Sequence, residues 1–408
     1  MRTPWESRFA QRTQRMQGSA IRELLKITSI PGIISFGGGL PAPDVFPVKE
    51  FAEACARVFD DPEKAKKALQ YSSSEGHLPL REMIARHFNR YGTTITADNV
   101  LITSGSQQAL DVIGKVFINP GDHILVESPT YLGALQAWDA YGAEYITVPS
   151  DENGLITDEL EDALRMGPKF MYVLPNFQNP TGVTIPLERR KRIVELADQY
   201  GVPIVEDDPY GQLRYEGEHL PSIGVLDDIT RREQSNPITG IAIYLSTFSK
   251  TLAPGLRLAW IIAPVNVINK FVQAKQGMDL HSATMNQYIA YEVASGGFID
   301  RHVKLIREVY SERRNTMLDA LEEHMPEGVK WTHPQGGLFL WVTLPENVDA
   351  ADVFTKAVQE KVAFVIGSPF HPKGGGKNTL RLNFSCEKPE VINEGIARLG
   401  RVLKRELA

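Results

Sequence analysis

Between residues 100 and 262, short apolar runs alternate with amphipathic stretches, and this alternation limits the fold more than any other feature. The runs fall at 100–103, 124–127, 145–148, 170–174, 203–206, 241–245 and 258–262. Segments of helical period lie between most of them, for example 106–118, 130–141 and 187–200. Strands alternating with helices predict an α/β fold with a mostly parallel sheet, here of seven strands. Ligands of such sheets sit beyond the C-terminal ends of the strands, so the residues just after each run are where chemistry is sought.

The flanks predict further units. Residues 19–27 (SAIRELLKI) place Ile21, Leu24, Leu25 and Ile27 on one side of a helix. The stretch 33–47 (IISFGGGLPAPDVFP) is too rich in glycine and proline for a regular element, so a loop is expected there. A helical pattern over 48–90 is interrupted at 71–79, and a long charged helix begins near 298. Beyond it, 331–344, 352–359, 363–366, 379–384 and 389–403 read β, α, β, β, α, a smaller α+β domain. The expected division is an N-terminal arm and helix over 1–47, joined to the small domain as a lid, a large domain over 48–297, and a connector helix with the small domain over 298–408. The PKGGG stretch at 372–376 reads as a loop tip.

Composition excludes several classes. A net charge of −6 and a pI near 5.9 argue against a nucleic-acid binder. Cys55 and Cys386 stand far apart in no metal-like spacing, as buried thiols of a reducing compartment would. The N-terminus has no apolar secretory core, and no apolar run approaches the roughly 18 residues a membrane span requires. A cytoplasmic location without membrane contact is expected. No dinucleotide, P-loop, zincin or nucleophile-elbow motif is present, and the histidines form no metal-ligand spacing.

The strand ends carry a coherent set. After 241–245 comes STFSKTLAPGLR, Ser246 to Arg257. Lys250, set between two apolar runs, suits a desolvated amine that attacks a carbonyl. The hydroxyls of Thr247 and Ser249, with the guanidinium of Arg257, suit a phosphate. An aldehyde that carries a phosphate is pyridoxal 5'-phosphate. After 100–103, Ser106 and Gln107 open a helix whose free N–H groups form an anion site, although simple capping by Ser104 or Ser106 reads equally well. Tyr131, after 124–127, can stack on a flat ring or merely pack. Asn179, extended by the following proline, can project its amide into the cleft. After 203–206, one of Glu206 and Asp207 faces the ligand and the other faces the opposite layer. A carboxylate there keeps a pyridine nitrogen protonated, Tyr210 can reach a ring hydroxyl, and Asp208 reads as part of a solvated acidic turn.

The segments GGGLPAPDVFP, LQYSSSEGHLPLR, TSGSQQALD, ESPTYLG, PNFQNPTG, EDDPYG, FSKTLAPGLR and LRLNFS span nearly the whole chain. In this order they resemble fold-type I, pyridoxal-phosphate-dependent aminotransferases of class I/II, in particular the 2-aminoadipate and type II kynurenine aminotransferase subgroup. That subgroup usually has serine where Thr247 stands here, and a threonine keeps the hydroxyl. The resemblance implies that Lys250 forms the Schiff base and shuttles the proton. It assigns the pyridinium partner to Asp207, the ring oxygen to Asn179 and Tyr210, and stacking to Tyr131. Ser106, Gln107, Thr247, Ser249 and Arg257 would hold the phosphate, and Tyr71 would reach the phosphate of a neighbouring subunit, so a homodimer with shared sites is implied. Arg381 would clamp the substrate α-carboxylate, and Asn179 would border it. Gly39 would line the substrate pocket, and Arg22 would meet a distal carboxylate or swing away from apolar side chains. The substrates would be an α-amino acid and a 2-oxo acid. A β- or γ-lyase would share every cofactor residue. A regulator domain fused behind a helix-turn-helix is disfavoured, because the glycine-rich loop at Gly37 leaves little chain for such a module.

Overall fold

The structure, a computed structural model, describes residues 4–16, 18, 31–233 and 240–407. The expected helix at 19–27, with Arg22, lies outside the described residues. The glycine- and proline-rich stretch is not wholly irregular: it opens with strand β1 (Ile34–Ser35) and holds a short 3-10 turn at Pro43–Val45.

All seven expected strands form in one sheet. They are β2 (Val100–Thr103), β3 (His123–Ser128), β4 (Glu144–Asp151), β6 (Met171–Val173), β7 (Ile204–Asp207), β8 (Ala242–Thr247) and β9 (Ala259–Ile262). The sheet has eight strands rather than seven, because β5 (Gly154–Leu155) pairs antiparallel with the end of β4. Two residues carry no periodic signal, which is why the sequence hides this strand. The order is β2-β9-β8-β7-β6-β3-β4-β5. Strands β8, β7, β6, β3 and β4 run parallel, and β9 runs antiparallel to both of its neighbours.

Alternation along each strand sorts the two faces. One face sends Leu101, Val126, Tyr172, Val205, Leu245 and Ile261 into a core with Trp138 and Phe271 from the helices Leu132–Asp139 and Val265–Gln276. The other face packs Met171, Val173 and Ile204 against the helix Leu187–Tyr200, and Ile102, Trp260 and Ile262 against Leu78–Asn89 and Thr284–Ala294. Helices on both faces bury β2, β6, β7 and β9 fully, so these strands read as continuous apolar runs, whereas β4 near the edge keeps exposed residues.

The long helix Phe298–His324 leads to a second, antiparallel sheet of order β10-β11-β14-β13. Its members are β10 (Lys330–Trp331), β11 (Phe339–Thr343), β13 (Val365–Ile366) and β14 (Thr379–Asn383). The apolar run at 331–344 therefore splits into two strands around Gly336 and Gly337. The run at 363–366 splits as well: β12 (Val362–Ala363) pairs in parallel with β1, whereas β13 pairs with β14. One core joins Phe36, Ala42 and Val45 of the N-terminal stretch to Phe364, Leu382, Ile396 and Leu399. Phe36 is the anchor: it is fully buried, its N–H donates to Ala363 O at 2.8 Å, and its carbonyl accepts from Asn383 N–H at 2.9 Å.

Phe36→Ala should lower unfolding stability by about 3–5 kcal/mol, the usual loss for a large buried aromatic. Denaturant unfolding checks this, and a loss below about 1 kcal/mol would show that the N-terminal stretch is not part of this core.

Candidate active site

The end of β7 presents three acids in succession, and each is buried. Glu206 faces the helix Ile223–Glu233 and accepts the N–H groups of Ile223 at 2.9 Å and Gly224 at 2.8 Å. Asp207 faces the opposite side, where Tyr172 Oη donates to its Oδ2 at 2.8 Å while Oδ1 has no partner. Asp208 is not the solvated turn residue that the sequence allowed. It is buried, and it accepts from Asn176 Nδ2 at 3.0 Å and Tyr244 Oη at 3.0 Å. Burial pushes Asp207 up to about 7, against the pull of the Tyr172 bond. Of the two carboxylates that the sequence left open, Asp207 is the one that faces the candidate site.

Lys250 follows β8, the parallel neighbour of β7, and its Nζ donates to Gly39 O at 2.8 Å. Burial lowers the ammonium to about 8, and the charges of Arg381 and Arg257 add to the shift. Tyr210 is buried, and its ring lies 6.0 Å from Lys250 Nζ. Tyr131 is pushed up to about 12, first by burial and then by the charge of Asp207, while Arg381 and Arg257 oppose the shift. The charges of Arg381 and Arg257 act on both Lys250 and Tyr131, and those of Arg381 and Asp207 act on both tyrosines.

Ser106 opens the helix Ser106–Phe117, which has no side-chain cap. The capping alternative is therefore not what forms: Ser104 instead bonds Asp279 Oδ2 at 2.9 Å, and Ser106 Oγ is buried without a partner. Free N–H groups and an unpartnered hydroxyl at a helix N-terminus make an anion cup. Gly105 precedes it at φ +88°, where a Cβ would stand 2.5 Å from an Arg257 Nη, so only glycine lets the guanidinium close this cup. Gln107 is exposed and donates to Gly133 O at 2.8 Å, and Gly133 in turn leaves room for the Tyr131 ring. Thr247 accepts from Ser249 N–H at 3.0 Å, and its Oγ1 lies 3.0 Å from both Leu258 O and Ser249 Oγ. Its hydroxyl is thus largely committed to the chain itself, which leaves Ser249 the freer of the pair.

Arg381 crosses from β14. Its two Nη groups donate to Asn179 Oδ1 at 2.7 Å and Gly37 O at 2.9 Å, and Nε is unpartnered. Its guanidinium lies 4.2 Å from the Phe339 ring centroid and 5.4 Å from that of Phe370. Burial lowers it to about 10, so it stays charged at neutral pH. Gly39 sits against Phe339 and carries the carbonyl that holds Lys250. Tyr71 stands apart: it is 78% exposed and meets His281 edge-on at 5.7 Å.

Tyr172, Phe339, Phe370 and the carbonyl of Gly37 escaped the reading of the sequence. Each belongs to an apolar run or to a backbone, where composition cannot separate a site wall from core. The residues present fit a flat phosphorylated pyridine aldehyde. Asp207 Oδ1 and Ser106 Oγ are unpartnered buried polar atoms of the right kind, and a low-basicity amine stands in the same space.

In the cofactor-free protein, labelling of Lys250 by an amine-selective reagent should rise with pH about a midpoint near 8, because the neutral amine forms above that value. Peptide mass spectrometry across pH 6–11 checks this, and a midpoint near that of an ordinary surface lysine would contradict the site electrostatics.

The family model for aminotransferase class I and II matches residues 34–399. The aromatic-amino-acid aminotransferase 1 of Thermococcus litoralis is 46% identical over 99% of this chain and 95% of its own length. The 2-aminoadipate transaminase of Thermus thermophilus is 46% identical over 99% of this chain and 98% of its own. Among solved structures, the α-aminoadipate aminotransferase LysN from Thermus thermophilus, complexed with N-(5'-phosphopyridoxyl)-L-leucine, superposes with a TM-score of 0.90 at 44% identity, covering 99% of each chain. On its sequence and its fold, the chain belongs to the class I and II aminotransferases.

Proposed function

We propose that this protein moves the amino group of an α-amino acid to a 2-oxo acid such as 2-oxoglutarate by a ping-pong mechanism. The donor class is 2-aminoadipate, aromatic or branched-chain amino acids, or glutamate. The observation that carries this reading is the unpartnered, buried Oδ1 of Asp207 in the space that holds Lys250. The cofactor is pyridoxal 5'-phosphate, which supplies an electrophilic aldehyde and a ring that spreads the negative charge left when a Cα proton is removed.

The chain's own residues do the rest. Asp207 Oδ1 holds the proton of the pyridine nitrogen. Asn179 accepts from Arg381 through Oδ1 and bonds Tyr210, and these two side chains would meet the ring oxygen together. Tyr131 covers one face of the ring. Ser106, Gln107, Thr247, Ser249 and Arg257 meet the phosphate, and Tyr71 reaches the phosphate of a second copy, which explains its exposure in a single chain. Arg381 takes the α-carboxylate of both substrates, and this shared clamp lets one site serve both half-reactions. Gly39 lines the side-chain pocket, and Arg22 selects the distal group. Lys250, whose basicity burial lowers, would take the Cα proton of the donor and pass it to the cofactor carbon that receives the amino group, and with the 2-oxo acid the same transfer would run in reverse. The arrangement is read as a lid and arm over 1–47, a large domain over 48–297 and a connector with small domain over 298–408, acting as a homodimer in the cytoplasm. Among the described residues, no helix is long and apolar enough to cross a membrane.

The test uses cofactor-loaded protein and single amino acids without a second substrate. Stoichiometric release of one 2-oxo acid per site, with no ammonia, is expected for glutamate or 2-aminoadipate. Sustained formation of ammonia with pyruvate or 2-oxobutyrate would make the protein a lyase. Lys250→Ala should abolish turnover, and near-normal activity would sink the assignment. Arg381→Ala should lower kcat/KM by about a hundredfold or more, since the α-carboxylate loses its paired cation; steady-state kinetics with several donors checks that the loss is common to all.

A further inference from the structure

We infer that Tyr172 is a positioning residue for Asp207: its buried hydroxyl fixes the carboxylate through Oδ2 and thereby keeps Oδ1 aimed at the ring nitrogen of the cofactor. The inference rests on the proposed function and deepens it.

The argument begins with register. Tyr172 on β6 stands opposite Val205 on β7, and Asp207 lies two residues farther along the same face. Diagonal neighbours on one face of paired strands are within reach of a long side chain, so the tyrosine meets the carboxylate directly. The contact is a 2.8 Å hydrogen bond. Burial, followed by the charge of Asp207, holds the Tyr172 phenol well above its ordinary range, so the neutral phenol donates to the ionised carboxylate.

The ring itself cannot drift. Tyr172 is fully buried and meets Trp138 edge-on at 5.0 Å. Trp138 is anchored in turn, because its Nε1 donates to Leu110 O at 2.9 Å. The hydroxyl is thus delivered by a rigid stack rooted in the core beneath the sheet. Asp207 accepts no other hydrogen bond among the described residues, and its second oxygen is the unpartnered one. One bonded oxygen and one free oxygen make an oriented carboxylate. Without the bonded one, the group could rotate and would be held only by its surroundings, and the ionised form would lose its single hydrogen-bonding support.

Tyr172→Phe removes only the hydroxyl and keeps the packed ring. The cofactor-free variant should fold as the unaltered protein does, checked by circular dichroism. Its affinity for pyridoxal 5'-phosphate, followed by the visible absorbance of bound cofactor, should fall about tenfold, as expected for loss of a bond to a charged group. In the loaded enzyme kcat should fall while KM for the amino acid stays within about twofold, because Arg381 is untouched. In an Asp207→Ala background the same substitution should change affinity by less than about twofold, the mark of action through Asp207. Unchanged affinity and kcat in Tyr172→Phe would overturn the inference, and so would an equal loss in the Asp207→Ala background, which would mark a role in packing alone. Failure of the unaltered protein to take up pyridoxal 5'-phosphate would overturn the functional reading and this inference with it, and that failure is visible before any substitution is made.

Discussion

Three consecutive acids at the end of one buried strand set the terms for the rest of the molecule. Glu206, Asp207 and Asp208 are each at least nine-tenths buried, which costs several kcal/mol per charge unless hydrogen bonds compensate. The pleat sends them to different surroundings. Glu206 is compensated by the first N–H groups of a helix, and Asp208 by an amide and a phenol. Asp207 alone is half compensated. In the proposed site a ring N–H would relieve the cost of that half-bonded carboxyl.

A second dependence runs between the two sheets. Arg381 belongs to β14, yet it donates to Asn179 after β6 and to Gly37 in the N-terminal stretch. Asn179 therefore serves both sides: its oxygen orients the guanidinium, and its side chain also bonds Tyr210. The aromatic faces of Phe339 and Phe370 hold the guanidinium without consuming its N–H groups, and stacking leaves donors free for a bidentate anion. Phe370 also ties in the opposite wall, since its carbonyl accepts from Thr130 N–H at 2.9 Å, next to Tyr131. The same N-terminal stretch that supplies Gly37 and Gly39 is locked into the C-terminal core by Phe36 and β1.

Much of this was legible in the sequence, for physical reasons. Continuous apolar runs give buried parallel strands, so the seven long strands of the main sheet could be placed. The residues following them are polar in an apolar context, so Lys250, the pair Glu206 and Asp207, Asn179, Arg257 and Ser106 stood out. What escaped lacked contrast. Strand β5 is two residues long, and the split runs at 331–344 and 363–366 hide their turns inside apolar composition. Tyr172 is indistinguishable from its core neighbours by type. Whether Glu206 or Asp207 faces the site depends on strand register, which a single run does not fix. The burial of Asp208 depends on Asn176 and Tyr244, which are distant in sequence.

The electrostatics of the lysine bear on the order of events in the proposed reaction. With no anion bound, burial and the two unneutralised guanidinium groups, Arg381 and Arg257, all lower Lys250. That favours a neutral amine, which is what capture of an aldehyde requires. In the proposed site a phosphate at Arg257 would cancel one of those charges, and an α-carboxylate at Arg381 the other. Each anion therefore returns basicity to the lysine. In the proposed reaction the amine would therefore be least basic before either anion binds, when it acts as a nucleophile, and more basic once both guanidinium groups are neutralised.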